Sequence, residues 1–312
     1  MLKLFPPESL TRIAVVGAGA VGCYFGGMLA RGGSPVTLIG RPEHVDAIRR
    51  DGLFMDRLTF KESVAVTAST EMSAAQDCDL VLFCVKTLDT EGAARELAPF
   101  LAGNAVVLSM QNGVDNVERI RSATGIEAVP AVVYVAASMS APGWVKHAGR
   151  GDLLIGDIKR SSRRHDLAAI ASLFAAAQVP CVVSAEIEVE LWKKMMMNCA
   201  YNAISALSQV KYGSILENEL TREVLQEAVR EGVAVARAEG VTLSEDATIA
   251  AALALGGKMT EARSSTAQDL ARHKRTEMDS LNGYIVRRGR EHGIETPVNK
   301  TLYALVKQLE ES

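Results

Sequence analysis

Residues 15–22 read VVGAGAVG, three glycines at GxGxxG spacing between a short apolar run and a helical one. Nothing else in the chain constrains its fold so tightly. Gly17 permits a tight turn, Gly19 lets the backbone come close to a ligand, and Gly22 lets the helix pack hard on the strand. Together with Ala20 and Val21 they open a helix whose first amides and dipole suit a pyrophosphate. A glycine-rich turn with no ligand is the plain alternative. The strand–turn–helix context near the start of the chain favours a dinucleotide.

The segments that follow extend that beginning into a sheet. Runs at 12–16, 35–39, 80–85 and 105–110 are short, apolar and rich in β-branched residues, and helical stretches such as 21–31 and 43–50 separate them. Residues 53–67 read as a hairpin. The runs VPAVVYVAAS, WVKHA and DLLIG, parted by PG and GRG turns, predict an antiparallel extension. A helix over 163–177 and a strand over 181–184 complete this half. From about residue 186 strand signals vanish, and helical patterns occupy 186–207, 219–239, 244–255 and 264–291. The expected fold is α/β: a Rossmann-like, doubly wound sheet with an antiparallel extension over 1–184, followed by an all-α domain over 185–312. Helices such as 219–239 have the amphipathic character that a homodimer can use.

Composition excludes several classes of partner. A net charge of −3 leaves no basic footprint for nucleic acid or an anionic membrane. No apolar run reaches the length of a membrane-spanning helix, and MLKLFPPESL lacks the apolar core of a leader. Five cysteines at unrelated spacings, with no CxxC pair, fit a reducing cytoplasm better than disulfides, and five scattered histidines predict no metal.

Candidate chemistry falls at the strand ends and on one helix. The second strand closes in VTLIGR, where an NAD enzyme would carry an acid for the ribose hydroxyls. Arg41 stands there instead and can pair with a 2′-phosphate, which predicts NADP(H); an ordinary solvent-exposed arginine is the alternative. LVLFCVKT leaves Lys86 at one strand end, and VVLSMQNGV leaves Gln111 and Asn112 at another. In ELWKKMMMNCAYNAISAL, residues 190–207, Lys194, Asn198 and Asn202 recur every four residues. Each such step turns a helix by roughly 40°, so all three share one arc with Ser205. A solvent-facing stripe is the usual reading of such a pattern, yet asparagine is a mediocre helix former that surfaces seldom favour. Glu277, placed around the axis of a 264–291 helix, lies beside Leu281 on the side that should pack. There it is either half of a structural ion pair or a carboxylate lining a polar site.

Taken together, GAGAVG at 17–22, VKT around Lys86, QNGV at 111–114, WKKMMMNCAYNAISAL at 192–207 and SSTAQDLARHKRTEMDSLNGYIVRRGREHGIETP at 264–297 resemble the ketopantoate reductase family over nearly the whole chain. The resemblance implies NADPH-dependent reduction of a small 2-keto acid, 2-dehydropantoate, to pantoate on the way to pantothenate and coenzyme A. It implies that Lys194 is the catalytic lysine and that Asn198 and Asn202 flank the substrate. It further implies that Asn112 touches both substrate and cofactor ribose, that Ser265 binds near the substrate carboxylate, that Glu277 contacts the substrate, and that Lys86 lies near the cofactor. Two other functions fit the same residues: a dehydrogenase for another small 2- or 3-hydroxy acid, and an NADPH-binding sensor without turnover. Lys194, Ser265 and Glu277 together weigh against a sensor, which needs no proton donor.

Overall fold

The computed structural model describes residues 11–311; the stretch MLKLFPPESL, read above as having no leader, lies outside them. The chain divides between Ile187 and Glu188 into two compact units.

In the first unit the chain runs β1 (Ile13–Val16), α1 (Ala20–Arg31), β2 (Val36–Ile39), α2 (Pro42–Asp51), β3 (Leu53–Arg57), β4 (Phe60–Val64), β5 (Thr67–Ser69) and β6 (Leu80–Phe83). It continues through α3 (Thr90–Leu97), β7 (Val106–Ser109), α4 (Asn116–Thr124), β8 (Val129–Ala141), β9 (Trp144–Ile155), α5 (Leu167–Ala176) and β10 (Cys181–Val183). Strand order is β4-β3-β9-β8-β7-β6-β1-β2-β5, with β10 also paired to β9. From β5 to the start of β8 every pairing is parallel. Beyond it, β8 and β9 pair antiparallel, as do β3 and β4.

The parallel strands are apolar at successive positions because both of their faces are covered. Ile13 and Val15 of β1 join Phe25 and Met28 of α1 and Ile170 and Phe174 of α5 in one core. Ala14 and Val16 point the other way, into a second core with Ala94 and Leu97 of α3 and Val117 and Ile120 of α4. Helices on both faces make the sheet doubly wound, with the expected antiparallel extension at one side.

The GRG sequence is not a turn between two strands. It lies inside β9, where Gly149, Arg150 and Gly151 have φ of +158°, +54° and +133°. Pairing jumps from Tyr134 opposite Asp152 to Val135 opposite Arg150, so the segment is a bulge that bends one continuous strand.

The second unit comprises α6 (Ile187–Ser208, whose first residue belongs to the first unit), α7 (Tyr212–Glu217), α8 (Glu219–Ala238) and α9 (Glu245–Lys258), then α10 (Ser265–Leu270), α11 (Asn282–His292) and α12 (Pro297–Glu311). No strand occurs in it among the described residues. The expected helix over 264–291 is two helices with eleven residues between them. His273 takes a left-handed φ of +51°, its amide donates to the Leu270 carbonyl, and the Lys274 amide reaches back to Asp269. That hydrogen-bond pair is the usual left-handed helix stop. Histidine rather than glycine occupies the turning position, so the sequence carries no stop signal.

Buried polar side chains tie the helices together. The Val298 and Asn299 amides donate to the Glu231 carboxylate at 2.8 and 2.9 Å, which places an anion at the α12 N-terminus. Asn282 of α11, fully buried, donates to Asn299 at 2.8 Å and to the Cys199 carbonyl of α6 at 3.3 Å. No helix among the described residues is long and apolar enough to cross a membrane.

Candidate active site

In the first unit the three motif glycines meet different surroundings. Gly17 has φ +107°, and a Cβ there would lie 2.7–2.9 Å from backbone atoms of Cys84 and Val85, so the turn presses against the end of β6. At Gly22 a Cβ would sit 2.1 Å from the Gly17 carbonyl oxygen. Gly19 caps α1 and is exposed, with nothing within 4 Å of a Cβ built on it. Tight turn, helix packing and open approach are thus divided among three positions. Ala20 and Val21, half-buried, begin the helix behind them.

At the end of β2, a Cβ on Gly40 would come within 2.6 Å of the Ala18 Cβ. A carboxylate therefore has no room there. Arg41 follows in extended conformation and is exposed.

Lys86 and Asn112, both half-buried, stand just past β6 and β7. The Thr87 hydroxyl donates to the Asn112 carbonyl at 3.1 Å, which joins the two strand ends. Since Gly17 abuts Cys84 and Val85, the glycine turn, Lys86 and Asn112 all gather at the carboxyl edge of the parallel sheet, where open α/β folds bind ligands. Gln111 turns inward instead, is 6% exposed, and hydrogen-bonds to Val85, Thr90 and Ser109.

In the second unit α6 separates its two lysines. Lys193 is exposed and pairs with Glu190 at 2.7 Å, whereas Lys194 is half-buried. The far side of α6 is apolar: Trp192, Met196, Cys199 and Ala203 are buried, and Met196 fills the space a side chain would need at Gly232 of α8.

The polar arc has two parts. Lys194 and Asn198 are half-buried, whereas Asn202 and Ser205 are buried against the start of α10. The Ser264 hydroxyl donates to the Asn202 carbonyl at 3.2 Å, and the Ser264 amide donates to the Ser205 hydroxyl at 3.3 Å. Ser264 also caps α10 by accepting from Ala267. It holds the connection in place, and the neighbouring Ser265 is left exposed at the first turn. Sequence reasoning passed over Ser264, although a serine pair before a helix is an N-cap signal.

Glu277 does not ride on a helix face. It is half-buried in the α10–α11 connection with φ −98° and ψ 19°, the sparsely populated bridge region. Residues on either side of it are gripped by α12. The Thr276 amide and hydroxyl both donate to Glu310, the amide at 2.7 Å. Asp279 accepts from Tyr303 at 2.5 Å and from Lys307 at 3.1 Å, and Lys307 also pairs with Glu310.

Burial pushes the Glu310 carboxyl up, but hydrogen bonds from Lys307 and Thr276 outweigh it and leave the group below its ordinary value. Asp279 is likewise raised by burial and lowered on balance by Tyr303 and Lys307. Burial lowers Lys307, and its two carboxylates more than reverse this. The carboxylates therefore stabilise the grip above the ordinary acid range and lose that effect as pH falls through their depressed values. The lysine contribution is lost only as pH rises through its elevated one. Glu310→Gln should lower Tm at neutral pH by about 3–6 °C, the scale of one charged hydrogen bond in a chain of this size. Thermal melts should show the gap to the native protein closing as pH falls through the depressed value of the Glu310 carboxyl, below the ordinary carboxylate range. A gap independent of pH would mean that the charge is irrelevant.

A glycine turn of this spacing at the carboxyl edge of a parallel, doubly wound sheet places the first unit in the Rossmann class of folds. The family model described as "Ketopantoate reductase PanE/ApbA" matches residues 13–160, and the corresponding "C terminal" model matches residues 186–310. A 2-dehydropantoate 2-reductase of Halobacterium salinarum is 38% identical over 304 residues, spanning 95% of this chain and 98% of that protein. The crystal structure of a PanE/ApbA family ketopantoate reductase from Ralstonia eutropha superposes with a TM-score of 0.90 at 49% identity, covering 96% of this chain and 99% of the other. A ternary structure of D-mandelate dehydrogenase with NADH and anilino(oxo)acetate reaches a TM-score of 0.89 at 25% identity, with 96% and 99% covered. The chain belongs to the ketopantoate reductase family, and so to the nicotinamide-dependent oxidoreductases.

Proposed function

We propose that the protein reduces 2-dehydropantoate to pantoate with NADPH, a step of pantothenate biosynthesis. The observation that carries this reading is the family match over both units, including a reductase relative 38% identical over nearly the full length. The residues of the first unit fit the cofactor: an open Gly19 and the head of α1 for the pyrophosphate, Asn112 and Lys86 at the crevice, and Arg41 for a 2′-phosphate. The closed space at Gly40 supports the phosphate over a bare ribose, since no acid fits where NAD enzymes use one. The bound nicotinamide supplies a hydride to C2 of the keto acid.

The protein's own part is position and charge. Lys194 donates a hydrogen bond to the C2 carbonyl oxygen, stabilises the negative charge developing there and passes it a proton. Asn198 and Asn202 orient the substrate with neutral donors and acceptors. Ser265 and nearby backbone amides hold the carboxylate, and Glu277 accepts from the substrate's hydroxyl. The free, scattered cysteines fit a reducing compartment, so the reading includes the cytoplasm.

A second reading has its own support, because the D-mandelate dehydrogenase structure shares the fold and holds NADH with an aryl-bearing oxoacid. Both are tested by following nicotinamide absorbance with NADPH and NADH against 2-dehydropantoate, other 2-keto acids and 3-keto acids. Turnover of 2-dehydropantoate with NADPH is expected to lead the panel; preference for an aryl 2-keto acid with NADH would replace the reading. In the same assay Arg41→Ala should raise KM for NADPH by about 10- to 100-fold, the worth of one charged hydrogen bond, and leave NADH unchanged. An unaltered NADPH/NADH ratio would return Arg41 to ordinary surface.

A further inference from the structure

Behind the carboxyl edge of the parallel sheet lie Thr87, Thr90, Ser109, Gln111 and Asn116, all polar and all at most 6% exposed. Such a concentration is costly unless every group is satisfied. Here the hydrogen bonds form one directed chain. Ser109 donates to Gln111 at 3.0 Å, and Gln111 donates to the Val85 carbonyl at 3.1 Å and to Thr90 at 2.7 Å. Thr90 donates to Asn116 at 3.3 Å, and Asn116 donates to the Asn112 carbonyl at 2.6 Å.

Two backbone carbonyls fix the direction of that chain. A carbonyl only accepts, so Gln111 must turn its amide nitrogen to Val85 and Asn116 must turn its own to Asn112. The Asn116 oxygen is then left facing Thr90. One hydroxyl, at Thr90, must accept from Gln111 and donate to Asn116. Only a side chain with both capacities closes the chain. The carbonyls it immobilises belong to Val85, directly before Lys86, and to Asn112 itself.

We infer that Thr90 is a positioning residue for the cofactor site, holding Lys86 and Asn112 in their binding arrangement through Gln111 and Asn116. The inference rests on the nicotinamide reading of the crevice. Thr90→Val keeps the shape and removes the hydroxyl; Thr90→Ser keeps the hydroxyl.

Titration of the intact protein with NADPH, followed by nucleotide fluorescence well below the melting temperature, should give a Kd about tenfold higher for Thr90→Val and within about twofold of native for Thr90→Ser. At saturating NADPH, kcat of the valine variant should fall by less than threefold, since the reacting groups are untouched. A valine variant that melts earlier yet binds NADPH as the native protein does would reduce Thr90 to a structural role. Should that variant not fold, Asn116→Leu cuts the same chain at its link to the Asn112 carbonyl, and an unchanged Kd there would overturn the inference equally. Native protein that binds no NADPH at all would end the cofactor reading and this inference together; native binding with unaffected variants ends this inference alone.

Discussion

Lys194→Ala is expected to lower kcat by at least about 100-fold while the fold is retained, the lower end of what general acid assistance supplies. The neighbouring lysine makes the experiment decisive. Lys193 is exposed and already paired with Glu190, so Lys193→Ala should leave kcat within about twofold of native. Both substitutions delete one positive charge from the same turn of α6, and neither opens the apolar face formed by Trp192, Met196 and Cys199. Net charge is thereby matched, and thermal melts read any difference in stability. What differs is the position around the axis, which puts Lys194 on the arc of Asn198 and Asn202. Steady-state kinetics with 2-dehydropantoate, beside thermal melts of both variants, gives the comparison. Equal effects of the two substitutions, or near-normal turnover in Lys194→Ala, would remove the proton donor from the proposed reaction.

The features legible in the sequence are those set locally. The glycine turn needs only strand, turn and helix in succession, and β1 and α1 form there because 13–16 are apolar at every position and 17–22 carry the glycines. Alternating strands and helices likewise announced the doubly wound sheet. Features that depend on remote partners were hidden. Gln111 and Asn112 look alike at the end of an apolar run, yet one turns inward to Thr90 and Ser109 while the other stays half-buried at the carboxyl edge of the sheet. Period-two alternation says that adjacent residues face opposite ways, but it does not say which faces in.

The stripe on α6 likewise reads as a unit from its spacing. In its second half the Ser205 hydroxyl and the main-chain carbonyl of Asn202 hold Ser264, a residue about sixty positions away. Glu277 reads as a helix-face residue in the sequence because a left-handed histidine gives no warning of a helix end. Its actual placement by Thr276, Asp279 and α12 involves a helix, Pro297–Glu311, that the periodicity reading did not register.

Gly19→Ala is expected to leave folding intact and still to weaken NADPH binding by at least about 30-fold, a loss of roughly 2 kcal/mol. The reason lies in the contrast with Gly22. A methyl group at Gly19 meets nothing within 4 Å, and the backbone there has φ −86°, which alanine adopts without strain. Only a modest loss of N-cap quality is expected, so Tm should change little. In the proposed function the open volume above that Cα takes the pyrophosphate, and a methyl there would hold it off the amides at the head of α1. Gly22→Ala is different. Its Cβ would stand 2.1 Å from the Gly17 carbonyl, so the turn itself must move, and stability should fall together with affinity. Calorimetric titration with NADPH beside thermal melts of both variants separates the two cases. Tight binding by a well-folded Gly19→Ala protein would show that the space above the turn holds no phosphate, and the cofactor would have to lie elsewhere along the sheet edge.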